Sequence, residues 1–548
     1  MLTRAARALA LLLLLAPLAG AQQGARLPAF TSPPLSPPAL RAHVAALASD
    51  AAQGRFPGTA GEVAALSYIE RAFNAAGLMP AMRDAEGRAS FRQAVPMTVS
   101  TLSGAPSLRI AGGGAPLTLA YRTHFIAWSE HGDARIDLHD APLVFVGYGL
   151  TAPALGWDQY AGEDMRGKIA LMLANDPDFE TGDDRGFGGR AMSAYGAEDE
   201  KFAEAAAHGA AGAFIVHDAD AAGMPWAALS AARTGPLLRP AQDGAQSSLA
   251  AGWISAEAAL TLFARAGVDF AALKARAQRP DFTATPLPLR VSMTLATQTQ
   301  TIASPNLIGV LRGDARAQEA VLFTAHWDHL GACPPSGGDF ICNGARPATG
   351  VAGLIELARR FRDDGRAARS IVFAAFTGET QGGLGSAYYA AHPAFPLART
   401  VAAIDLESLG VDGPARDITL IAPGLSDLDD ALIRAAQAQR RIVTPDRMAE
   451  RGIFFRSSAL AFARAGVPIL VMAPGQDLRA GGVARGQALA DAFIARRAQQ
   501  PGDALSPQWD FVGGTQDLLL LHQVGRELAD GAAWPAWRAH APYARAQR

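Results

Sequence analysis

His326 and Asp328, in the run Ala325-His326-Trp327-Asp328-His329-Leu330-Gly331, have the types and spacing to do chemistry. An imidazole can ligate a metal, and a carboxylate two residues on can hold its other nitrogen and fix the ring. The preceding run, Ala320-Val321-Leu322-Phe323-Thr324, reads as a buried strand. The pair then sits at the carboxyl end of a strand, where an open α/β sheet builds its site. A hydrogen-bonded structural pair is the competing reading, so the surroundings decide. His329 is expected to point elsewhere on the same turn. No Gly-x-Ser-x-Gly elbow and no Gly-x4-Gly-Lys phosphate loop offers a second catalytic system.

The elements that must position this turn follow in order. Ser304 to Val310, Ala320 to Thr324, Ser370 to Phe376, Val401 to Leu406, Ile418 to Ile421 and Val467 to Met472 read as strands. Val351 to Arg362, Leu384 to Ala391, Leu428 to Arg440 and Gly514 to Leu528 read as helices between them. This alternation predicts an α/β fold, a largely parallel mixed sheet covered by helices on both faces. Upstream, Leu143 to Gly149, Met165 to Met172 and Gly212 to His217 form a second group of strands, with a helix over Phe202 to Ala211.

Further motifs surround the His-x-Asp turn. They are Asn343-Gly344-Ala345, Gly350-Val351-Ala352, Phe376-Thr377-Gly378-Glu379 and Gly383-Leu384-Gly385-Ser386. Ile404-Asp405-Leu406-Glu407, Arg456-Ser457 and Gly466-Val467-Pro468 complete the set. In order and spacing these resemble the M28 family of zinc aminopeptidases and carboxypeptidases. The resemblance implies a zinc-exopeptidase-like fold. The second group of strands resembles the β-rich protease-associated (PA) domain inserted in many such proteins, a substrate lid or interaction module.

The resemblance also assigns roles. His326 stands at the first zinc ligand and Asp328 at its orienting partner. Glu379 stands at the general base, and Glu407 at a ligand position that is an Asp in the family. The other ligand positions are substituted. Arg346 stands for the bridging Asp, Thr380 for a Glu, and Gln499 for the late His. A guanidinium stays protonated and repels a cation. Ser457-Ser458-Ala459 also replaces the family's Ser-Asp-His. The residual ligands are then His326 and Glu407, with Glu379 a vestigial base. With the cation gone, Arg346 is expected either to pair with Glu407 or Glu379 or to turn to solvent.

Composition sets the remaining bounds. The chain has 548 residues, 49% hydrophobic and 18% charged, which indicates a globular protein of two or three domains. A net charge of -2 gives no electrostatic case for nucleic acid. Arg4 and Arg7, the apolar run Ala8 to Leu15 and the small residues Ala19-Gly20-Ala21 read as a secretory signal peptide. No later run is long and apolar enough to span a membrane. An exported, periplasmic or secreted protein is expected. Export permits a disulfide between Cys333 and Cys342, favoured over free thiols or metal ligation.

The expected division is signal peptide 1–21, linker 22–38, N-terminal part of the peptidase-like domain 39–135, PA-like insert 136–295, peptidase-like domain 296–535 and tail 536–548. The function expected is a zinc-deficient pseudo-peptidase without a cofactor, binding a peptide or protein ligand in the former cleft. The alternative is an active zinc aminopeptidase with a reconstructed or mononuclear site.

Overall fold

The computed structural model describes residues 33–241, 249–333 and 340–545. The expected signal peptide lies outside the described residues. No helix among them is long and apolar enough to cross a membrane.

The sheet that carries the His-x-Asp turn is mixed with a parallel centre. Arg316–His326 lies between Arg369–Phe376 and Thr400–Asp405, parallel to both. Ile469–Ala473 adds in parallel beyond Thr400–Asp405. Outside this centre, Asp417–Leu420 is antiparallel to Ile469–Ala473, and Ile442–Pro445 follows it in parallel. On the other flank Thr285–Leu311 runs antiparallel to Arg369–Phe376.

Side-chain alternation explains the covering layers. Val321, Phe323 and Ala325 face one core with residues of the helices Pro37–Leu47, Ala60–Ala75, Ala348–Asp363, Leu428–Ala438 and Val512–Asp530. Ala320 and Leu322 face the other, with Tyr389, Phe454 and Phe462 from the helices Leu384–Ala391, Ile453–Arg456 and Ala459–Arg464. Both faces of the strands are dry, which is why they read as unbroken apolar runs.

Two features were not visible in the sequence pattern. Thr285–Leu311 is one strand of 27 residues. Its first part pairs with Ser107–Ala111 and Arg135–Phe145, and its last part with Arg369–Phe376. Positions 295 and 296 therefore fall inside a strand, and the lobes share a backbone element. The second lobe takes in residues upstream of 136, because Ser107–Ala111 and Phe125–Ser129 belong to its sheet. That lobe has apolar clusters of its own. The other unforeseen element is the helix Gly482–Arg496. Only Gly486 is buried in it, and its Ala490, Phe493 and Ile494 line a cavity shared with His326.

At the N-terminus, Leu35 lies within the expected linker yet is buried, and its N–H donates to Glu356 Oε2 at 2.9 Å. Glu356 is buried too, and also accepts from Arg359 at 2.7 Å and meets His43 at 3.1 Å. A buried carboxylate satisfied this often fixes the first helix on the sheet layer.

Candidate functional site

The His326, Glu379 and Glu407 motifs meet at the carboxyl end of the parallel strands. His326 closes Arg316–His326, Glu379 follows Arg369–Phe376, and Glu407 follows Thr400–Asp405. The helix Ala348–Asp363 starts just after Arg346. Its Gly350 comes so close to the strand end that a Cβ there would lie 2.1 Å from the Leu406 carbonyl oxygen. Only glycine permits that approach, and it fixes the helix beside Glu407.

His326 and Asp328 form the expected pair. Nδ1 of His326 is 3.1 Å from the Asp328 carbonyl oxygen and 3.4 Å from its Oδ1. The Asp328 carboxylate also accepts the N–H groups of Glu379 at 3.1 Å and Thr380 at 3.2 Å. Asp328 is thus the pin joining two strand ends. Burial works against a charged His326, but the Asp328 contact and the charges of Glu407 and Glu379 outweigh it and raise its pKa to about 9. Contrary to expectation, His329 lines the same cavity as His326, with Nδ1 at 3.1 Å from the Cys342 carbonyl oxygen. Burial, with Arg55 and His326 adding to it, drives its pKa down to about 3.

Glu379 is buried and held by Ser386, whose N–H donates at 2.7 Å and whose hydroxyl donates at 2.9 Å. Burial still raises its pKa to about 8, against those bonds and with the Asp328 charge adding to it. Glu407 sits beside Asp405. Burial raises both; the Asp405 charge and hydrogen bond add to the rise at Glu407, whereas the bonds from Thr324, Ser458 and Glu407 oppose it at Asp405. Asp405 Oδ1 accepts from the Thr324 hydroxyl at 2.5 Å and the Ser458 hydroxyl at 2.8 Å. Its Oδ2 is buried without a partner. Asp405 is the carboxylate beside Glu407 to which the motifs gave no role, although it stood in the quoted Ile404-Asp405-Leu406-Glu407.

Arg346 corrects an expectation. It neither pairs with Glu407 or Glu379 nor turns to solvent. Nη2 bonds Asp412 Oδ2 at 2.9 Å, and the guanidinium lies over the Phe493 ring, 4.4 Å from its centroid. Its backbone N–H donates to Asp503 at 3.1 Å. The shortened loop directs the chain toward the helix Gly482–Arg496, which the sequence pattern had not shown. Arg346→Ala should therefore cost about 1–2 kcal/mol, from one half-buried ion pair and one cation–π contact. Denaturant titration checks this, and a loss above about 3 kcal/mol would point to a buried partner instead.

Cys333 and Cys342 form a disulfide, at the two ends of the short hairpin Gly331–Cys333 and Phe340–Cys342. Thr380 directs its N–H to Asp328, and Gln499 lines the same cavity as His326.

The donors do not fit a zinc pair. Of the positions that the resemblance assigns to ligands, His326 and Glu407 carry donors, while a cation, an alcohol and an amide stand at the others. Among the described residues no group of three or more His, Cys, Asp or Glu is arranged to hold a metal ion. Zinc sites use three or four protein ligands.

A cavity of about 710 Å³ opens over these residues, a size that admits a short peptide. His326, Glu379 and Glu407 line it from the sheet, and Glu198, Arg233 and Trp253 from the second lobe. Gln381, just past Thr380, ties the lobes together. It accepts the Leu238 N–H at 2.7 Å and donates to the Pro236 carbonyl at 3.1 Å.

A central mixed sheet between helical layers, with its site at the parallel strand ends, defines an exopeptidase-like α/β protein. Residues 306–511 match the family model of peptidase family M28. In fold the chain is similar to an aminopeptidase from Aneurinibacillus sp. strain AM-1, with 19% identity, a TM-score of 0.53, and coverage of 94% of this chain and 98% of that one. BSAP, a zinc aminopeptidase from Bacillus subtilis, aligns at 18% identity and a TM-score of 0.47 over 91% of this chain and 97% of its own. A peptidase M28 precursor from Shewanella amazonensis SB2B aligns at 18% identity and a TM-score of 0.47 over 92% and 100%. No curated protein sequence is significantly similar to the chain.

Proposed function

We propose that this is an exported M28-type protein that binds peptides in the cavity between its lobes and has lost the zinc chemistry of its family. One observation carries the reading. Of the ligand positions only His326 and Glu407 retain donors, and the residue at the bridging position is Arg346, engaged with Asp412 and Phe493. Glu379 keeps the place of a general base but has no metal-bound water to act on. The second lobe, read as PA-like, supplies the opposite wall of the peptide cleft. The N-terminal leader supports export to the periplasm or outside the cell.

A second reading rests on Asp405. Its unpartnered Oδ2 beside Glu407 offers one more oxygen near His326, from which a mononuclear zinc aminopeptidase site could be rebuilt.

Metal analysis of the purified protein decides between them. The expected result is zinc well below one equivalent and no phenanthroline-sensitive cleavage of aminoacyl chromogenic substrates. One or two zinc ions per chain with chelator-sensitive turnover would reverse the assignment. Thr380→Glu alone should not restore activity, since Arg346 still replaces the bridging carboxylate.

A further inference from the structure

Arg456 ends the short helix Ile453–Arg456 and lines the cavity. Its side chain is open to the cavity yet walled by protein from both lobes. Among the described residues it makes no ion pair and no hydrogen bond. The charges facing it come from four side chains. Glu198 and Asp199 of the second lobe attract it, and Arg233 and Arg451 repel it. Glu198 is already engaged by Arg233 at 2.8 Å. Burial, the largest influence, holds the Arg456 pKa below the usual arginine value.

Two further donors beside it are orphaned. The Trp253 side chain is 3% exposed, and its indole N–H has no acceptor. Trp253 and Arg456 border the same small side crevice as well as the main cavity. Nε of Arg451, also on the cavity wall, is buried without an acceptor. Buried donors are ordinarily paired, so these two orphans on the wall of the cavity into which the Arg456 guanidinium opens call for an acceptor from a ligand. Glu379 and Glu407 line the same cavity, and the two groups are joined through the chain. Ser458, two residues after Arg456, bonds Asp405 at 2.8 Å.

We propose that Arg456 is the carboxylate-binding group of the peptide site, receiving the C-terminus or an acidic side chain of a short peptide. This rests on the peptide-binding reading and names the ligand's anionic end. A planar guanidinium takes a carboxylate through two parallel N–H bonds, which a neutral amide cannot reproduce.

Calorimetric titration of the mature chain with Leu-Ala-Ala, its C-terminal amide and Leu-Ala-Glu amide tests this. The free acid should bind at least about tenfold more tightly than its amide, the loss expected for a hydrogen bond to a charged group. Recovery of affinity by Leu-Ala-Glu amide would assign the carboxylate to a side chain, and no recovery would assign it to the C-terminus. Arg456→Gln should abolish the preference, and Arg456→Lys should keep part of it. Equal binding of all three peptides, or a preference that survives Arg456→Gln, overturns the Arg456 assignment and leaves peptide binding standing. No binding by any of them overturns both. The wild-type comparison of acid with amide does not depend on any variant folding.

Discussion

Replacing Arg55 by alanine should lower stability by about 3–5 kcal/mol, because it leaves a cluster of carbonyl groups without their shared donor. Arg55 is 1% exposed. Its Nε donates to the Trp327 carbonyl at 2.7 Å, Nη1 to those of Leu47 and of Asn343 at 2.7 Å, and Nη2 to that of Gly344 at 3.0 Å. Its own carbonyl accepts the His329 N–H at 3.2 Å. One guanidinium therefore holds the His326 turn against the loop that carries Arg346. Burial lowers its pKa to about 10, and Asp328 and Asp503 partly offset this. Arg55→Lys should rescue little, since one ammonium cannot span the same carbonyls. Denaturant titration gives the loss. Hydrogen exchange at residues 327–330 and 343–346 should rise before global unfolding. A change under about 1 kcal/mol would show that the carbonyls find other donors.

The second large effect is a pH dependence centred on the carboxylates. In the protein free of metal, Glu379 and Glu407 titrate near 8 when folded, against an ordinary value of 4.5, and Asp405 is raised as well. The folded state therefore holds more protons than the unfolded chain. Their contribution to stability is full below the ordinary carboxyl pKa and is lost as pH rises through about 8. His326 works in the same direction, because its value is raised from 6.5 to about 9. His329, lowered to about 3, acts oppositely and only as pH falls through 6.5. Glu407→Gln removes one buried titrating carboxyl group beside Asp405. At pH 8.5 it should gain about 2–4 kcal/mol relative to wild type, and near pH 5 almost nothing. Thermal or denaturant unfolding at the two pH values measures the difference. A bound cation would ionise these carboxylates and invert the outcome, making Glu407→Gln the less stable protein at high pH.

The sequence by itself determined the parallel centre of the sheet, because strands dry on both faces are written as continuous apolar runs such as Ala320 to Thr324. It also determined the retained and lost ligand types, since an Arg, a Thr and a Gln differ from zinc donors in any fold. The His326–Asp328 pair was legible because its members are two residues apart on one strand end.

Partners distant in sequence were decided by the tertiary structure alone. Arg55 lies in the run Gly54-Arg55-Phe56-Pro57-Gly58, rich in turn residues, yet its acceptors lie as far as 289 positions away. Arg346 found Asp412, 66 positions on, because the helix Gly482–Arg496 placed Phe493 beneath it. Asp405 faces the site because Ser458 and Thr324 converge on it from two other elements. Arg456 became a candidate for ligand binding only when the second lobe walled it in beside Trp253. Periodicity records which face of an element is dry, whereas a charge's partner is fixed by which elements meet, and that is settled only when the lobes pack.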